Sequence, residues 1–170
     1  MNLTAVALKQ SVAHLIAISY LVLIMNGYVT SPDQIVGEVD EWDLQCVAGA
    51  AQIENGDNSE ECIFLTCAVI KNRLYSSNWK GDTYEEIITA PGQYARVTVN
   101  GFRTKKCSDR VLAIAKYVIL YYEPGWQVPA DVVYQGQKVN GHGKYIDGKL
   151  FHEYRRIQVP GQKDEVFCYE

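Results

Sequence analysis

Residues Glu61 to Tyr75, ECIFLTCAVIKNRLY, constrain the fold more than any other stretch. The run contains no glycine or proline, is long enough for four helical turns, and is apolar on most of its faces. A helix of that kind cannot lie on a surface, because it has no solvated side to present. The other elements must pack around it. The pattern of Asn58 with Glu61 predicts a capped start for this helix, three residues from cap to acceptor.

The preceding segment, Glu41 to Glu54 (EWDLQCVAGAAQIE), reads as a tightly packed helix rich in small apolar residues. Asn55-Gly56 stops it, since both residues accept the left-handed conformation that closes many helices. Thr83 with Glu86 opens a short helix, YEEIIT, ended by Pro91-Gly92. A further long helix runs from Ser108 to Tyr122 and ends at Glu123-Pro124-Gly125. After it the pattern changes. DVVYQGQ, GKYI, KLFHEY and EVFCY are short runs rich in Val, Tyr and Phe, separated by Asn140-Gly141 and Asp147-Gly148. Three to four helices followed by a small antiparallel sheet make an α+β chain.

At the other end, Ser11 to Met25 is an almost unbroken apolar run behind a segment with one cation, Lys9. Its length suits a signal-peptide core and falls short of the roughly 20 residues that span a bilayer. Residues 1–30 therefore read as a signal peptide or signal anchor, with a buried N-terminal helix as the alternative. The acidic cluster Glu38, Asp40, Glu41 and Asp43 marks a composition shift that puts a domain boundary between residues 30 and 40. The domain proper is 38–170, large enough to bury a core without staples. Secretion or wall association follows from this reading, with membrane contact only through the apolar segment.

The net charge of −4 argues against a nucleic-acid partner, which would want a basic face. No cofactor is implied. Metal ligation is not expected either: His14 lies in the leader, and His142 and His152 are ten residues apart with no further histidine. The five cysteines form no CxxC pair and read mainly as small buried apolar residues. Cys107 differs, because Arg103, Lys105 and Lys106 precede it and a helix follows, a setting that can lower a thiol pKa, although an exposed or disulfide-bonded cysteine is the favoured reading.

Carboxylates remain. Glycoside cleavage needs an acid that keeps its proton near neutral pH. Glu54 ends a predicted helix, where the negative dipole end and the apolar sequence before it both favour the neutral form. Glu60, Glu61, Glu85 and Glu86 sit in first helical turns, where a capping role is expected.

The order of motifs selects Glu54 among these. AAQIENGDNSEECIFLTCAVIKNRLYSSNW followed by TYEEIITAPGQYA, then VVYQGQ, Gly141-x-Gly143-x-Tyr145 and the terminal FCY, resembles the SleB/CwlJ-type cell-wall hydrolases, the spore cortex-lytic family. The resemblance covers about residues 44 to 170. It implies a lysozyme-related mixed fold and a monomeric enzyme that cuts peptidoglycan glycan strands between N-acetylmuramic acid and N-acetylglucosamine. It further implies lytic transglycosylation with a single catalytic acid, matched by Glu54. Gln93, Tyr94, Tyr134 and Gln135 match positions expected to line the glycan groove, while Asn72 and Arg73 brace their helix. Two departures stand out: Asn55 replaces the alanine common after the acid, and Asp147 to Lys163 reads as an inserted, solvated loop carrying Arg155 and Arg156. An N-acetylmuramoyl-L-alanine amidase and a non-catalytic wall- or virion-binding domain are the alternatives.

Overall fold

The computed structural model describes the backbone of residues 3–137, 145–146, 149–150 and 152–170, and the side chains of 10–137 and 152–170. The helices are α1 (Leu3–Met25), α2 (Glu41–Asn55), α3 (Glu60–Tyr75), α4 (Tyr84–Thr89), α5 (Arg96–Gly101) and α6 (Asp109–Tyr121), with a one-turn 3-10 helix at Pro32–Gln34. The strands are β1 (Val132–Gln137), β2 (Tyr145–Ile146), β3 (Lys149–Leu150), β4 (Glu153–Ile157) and β5 (Glu165–Tyr169). The chain is α+β, with its sheet strands after its helices.

The all-round apolar run behaves as its composition requires. Every residue of α3 from Cys62 to Arg73 is buried. Helices α1, α2, α4 and α6 and strand β1 surround it. Fully burying Ile63, Val69 and Ile70 contributes roughly 1.5–3 kcal/mol each. The helix starts one residue later than the Asn58 pattern predicts. Ser59 is the cap and accepts from the Cys62 N–H at 3.3 Å. Asn58 instead donates its side-chain amide to Asn55 Oδ1 at 2.6 Å.

Helix α2 starts at Asp40, whose carboxylate accepts from the Trp42 and Asp43 N–H groups. Its small residues allow close approach. A Cβ on Gly49 would sit 2.1 Å from the Phe102 carbonyl oxygen, so only glycine lets α2 lie this close to the end of α5. Gln45 donates to that same carbonyl at 2.8 Å. The expected left-handed stop at Asn55-Gly56 is absent. Asn55 is helical, and Gly56 is right-handed at φ −61° with its N–H on the Gln52 carbonyl. Glycine is needed there for clearance, because a Cβ would fall 2.5 Å from the Gln52 carbonyl oxygen.

The short helix α4 begins as predicted at Thr83, whose hydroxyl accepts from the Glu86 N–H at 3.2 Å. The Glu86 carboxylate reaches one residue further back, to the Asp82 N–H at 2.7 Å. Ser108 caps α6.

The apolar N-terminal run forms α1, which is neither fully buried nor fully free. Ala17 and Ile24 are buried, and Tyr20, Leu21 and Met25 pack on the core. The Tyr117 hydroxyl donates to the Ala17 carbonyl at 3.1 Å, and the Val36 N–H donates to the Tyr20 hydroxyl at 3.1 Å. Val12, Leu15, Ile16, Ile18, Val22 and Leu23 face outward. Val29 and Ile35 join the same core as α3 and α6. Among the described residues, no helix is long and apolar enough to cross a membrane.

The main sheet has the antiparallel order β1-β5-β4. Phe167 of β5 is fully buried against the helices, while Val166 and Cys168 pack with Tyr134 in a separate cluster on the opposite face. Part of the supposed insertion is sheet: Glu153 to Ile157 is edge strand β4. Its arginines are engaged, Arg155 with Glu61 at 2.7 Å and Arg156 with Glu153 and Asp164. Their charges hold the edge strand to α3 and to the turn before β5.

No disulfide joins any of the five cysteines, and all but Cys107 are buried. Burial pushes Cys107 up to about 11 against the opposing charge of Lys105, so the lowered thiol pKa that basic neighbours can produce is not found.

Candidate functional site

Glu54 lies in the last turn of α2 and is half-buried. The fully buried Thr98 of α5 donates its hydroxyl to Glu54 Oε1 at 2.5 Å. One carboxylate oxygen is thus fixed by a neutral donor. Sequence reading missed α5 altogether. Its six residues, RVTVNG, are too few to show a helical period, they carry the β-branched Val97, Thr98 and Val99, and their cap, Ala95, makes no side-chain hydrogen bond.

Arg73, from the last turn of α3, enters the same neighbourhood. Its side chain is 1% exposed. Nε donates to the Val133 carbonyl at 2.6 Å, tying α3 to β1. The guanidinium carbon lies 4.4 Å from the Trp79 ring centroid, 5.0 Å from that of Tyr94 and 6.0 Å from that of Tyr134. Cation–π attraction from three rings offsets part of the desolvation cost. Burial still pulls the arginine below its ordinary pKa, opposed by Tyr94, Tyr134 and Glu54. Burial pushes the Tyr94 phenol up to about 12, with Arg73 opposing, so the phenol keeps its proton. Arg73 Nη1 and the Tyr94 hydroxyl are both buried and have no hydrogen-bond partner among the described residues.

Of the four residues matched to a glycan groove, Tyr94 and Tyr134 meet at Arg73. Gln135 sits opposite Phe167 in the β1–β5 ladder, which puts it on the helix-facing side, and its buried Oε1 has no partner. Gln93 stays local, its amide donating to the Pro91 carbonyl at 3.4 Å. The Gly141 to Gly143 part of the glycine–tyrosine motif lies outside the described residues. Trp79, not singled out in the sequence, is the ring nearest the guanidinium.

The bracing expected of Asn72 takes a specific form. Its amide donates to the Pro129 and Val132 carbonyls at 3.0 and 2.9 Å, and its oxygen accepts from the Tyr122 hydroxyl at 2.6 Å. It thereby holds the chain entering β1, and with it Tyr134 and Gln135.

A second carboxyl, Glu165 of β5, is the residue that sequence reading did not find. It is 4% exposed. Burial raises its pKa, and the charge of Glu54 adds to this; hydrogen bonds from Gln137 and Asn55 oppose both. Asn55 also donates to the Thr66 hydroxyl at 2.8 Å. The residue after Glu54 is therefore locked to α3, to the α2–α3 turn and to β5 at once. That network explains why a buried asparagine, and not alanine, fits at this point of the chain.

No group of three His, Cys, Asp or Glu side chains that could hold a metal occurs among the described residues. His152 is exposed, and His142 lies outside the described residues. No protein-family model matches the chain, and no curated protein or solved structure matches it significantly.

Proposed function

We propose that this chain cleaves the glycan strand of peptidoglycan between N-acetylmuramic acid and N-acetylglucosamine, as a lytic transglycosylase with Glu54 as its acid and base. The observation that carries the reading is Glu54 itself, a half-buried carboxyl held by the Thr98 hydroxyl at 2.5 Å and set beside Arg73 and Tyr94. Among the described residues, Arg73 Nη1 and Tyr94 OH of this cluster are buried without partners, as is Gln135 Oε1 on β1. Buried polar groups are normally paired, and a sugar carries both donors and acceptors to pair them.

In this mechanism Glu54 donates its proton to the glycosidic oxygen as the bond from the muramic acid anomeric carbon breaks. The departing sugar leaves as an alcohol. The muramic acid 6-hydroxyl oxygen then bonds to that carbon, and its proton returns to the Glu54 carboxylate. The product is a 1,6-anhydro sugar and the acid is regenerated, so no second catalytic carboxylate is required. Thr98 fixes the orientation of the carboxyl through both steps. The exposed row on α1 supports a secreted or wall-associated protein that touches a membrane through that helix.

The test is digestion of purified sacculi followed by mass analysis of the soluble products. Glu54→Gln should lower release of anhydro-muropeptides by about 10²–10⁴-fold while the protein stays folded by circular dichroism. Undiminished release in the folded variant would remove Glu54 from the mechanism.

A further inference from the structure

Arg73 is a buried cation whose hydrogen bonds are incomplete. Nε is satisfied by Val133, but Nη1 is buried and has no acceptor among the described residues. Among the described residues no carboxylate forms an ion pair with it. Glu54 acts on it only as a nearby charge. Three aromatic faces attract the guanidinium, but they give Nη1 no lone pair in the ring plane. Leaving such a donor unmet costs stability. The Tyr94 hydroxyl, whose ring lies 5.0 Å from the guanidinium carbon, is a second buried group without a partner in the same cluster. Both groups belong to the aromatic cluster around the guanidinium, and among the described residues neither has a hydrogen-bond partner.

The acceptor that matches a guanidinium edge and a phenol together is a carboxylate, whose two oxygens take one donor each. We propose that Arg73 Nη1 and Tyr94 OH form a carboxylate subsite beside Glu54, and that the ligand seated there is a sugar acid. The identity of the sugar rests on the glycan reading above, whereas the carboxylate preference rests on Arg73 and Tyr94. Entry requires the half-buried Tyr94 to move, and it follows directly on the exposed turn at Pro91-Gly92. In a peptidoglycan strand the fitting group is the lactyl carboxylate of a muramic acid without its stem peptide. An amide-hydrolysing step would supply that substrate.

The experiment uses the full chain with Trp42→Phe and Trp126→Phe, so that only Trp79, 4.4 Å from the guanidinium, reports. N-acetylmuramic acid and N-acetylglucosamine are titrated separately. The acid should change Trp79 emission saturably and bind at least about 10-fold more tightly than the neutral sugar, as expected for one charge-assisted hydrogen bond. Methyl esterification of the acid should abolish that preference, and this arm needs no substitution at the site. Arg73→Lys should reduce the preference several-fold because lysine lacks the planar fork, and Tyr94→Phe should reduce it less. Equal binding of both sugars, binding of neither, or a preference surviving esterification would overturn the subsite. Repeating the titration with Glu54→Gln separates the two ideas. A retained preference without cleavage supports both, and cleavage retained in that variant overturns only the reading of Glu54.

Discussion

Two buried cations stand two residues apart on α3, and their surroundings differ in one respect. Lys71 points to the end of α6, where its ammonium donates to the Val118, Ile119 and Tyr122 carbonyls at 2.9, 2.9 and 2.6 Å. These are the carbonyls that a helix end leaves without partners. Lysine has three donors, and here all three are used. Arg73 points to β1, and among the described residues one of its buried nitrogens has nothing to bond. Burial depresses both pKa values, that of Lys71 to about 8. The contrast lies in hydrogen bonding and not in burial. A charge whose every bond is met by backbone belongs to the scaffold, and one left incomplete beside a carboxyl is available to a ligand.

Removing each charge should expose that difference. Lys71→Met strands three carbonyls at the end of α6 and should cost about 3 kcal/mol in urea unfolding; a cost near zero would break the comparison. Glu165 is the intermediate case, a buried carboxyl with two amide donors and an unfavourable neighbour in Glu54. Its folded pKa lies above the ordinary 4.5, so the stability it contributes is full below that value and falls as pH rises through the folded value. Glu165→Gln removes that dependence. Its melting temperature should therefore gain on the unsubstituted protein as pH rises above 4.5, and a constant gap would show that Glu165 does not titrate in that direction. Arg73→Met should have the smallest effect on stability, within about 1 kcal/mol, because an apolar side chain of similar length replaces an incompletely paired charge. A loss as large as that for Lys71 would make Arg73 a scaffold residue as well.

The helical half of this arrangement was legible because periodicity and caps are local. The α3 run announces a central helix through its composition, and Thr83 and Ser108 mark helix starts by their own side chains. The off-by-one start of α3 arose because Asn58 and Ser59 are both capping residues, and Asn58 is diverted to Asn55. Strand β4 was legible only at its start, in the run KLFHEY, and the polar Arg155 and Arg156 of this solvated edge strand hid the rest. The site was legible only in part. Glu54, Tyr94 and Tyr134 carried motif signals, whereas Thr98 and Glu165 reach Glu54 through tertiary packing. Nothing near either residue in the sequence announces that it ends beside a helix formed by residues 41–55.

The β1-β5-β4 order also has a consequence for how the protein is made. During synthesis both outer strands leave the ribosome before the strand that joins them. Until β5 arrives, β1 and β4 have no hydrogen-bonding partner in the main sheet, and non-local pairing of this kind forms slowly. The α3 side chains that β1 later covers stay open over the same interval. A nascent chain therefore has its helices before it has Glu165 next to Glu54. A stop codon placed before Glu165 would leave a helical intermediate with two unpaired strands, a species prone to aggregation and lacking the β5 arm of the Asn55 lock.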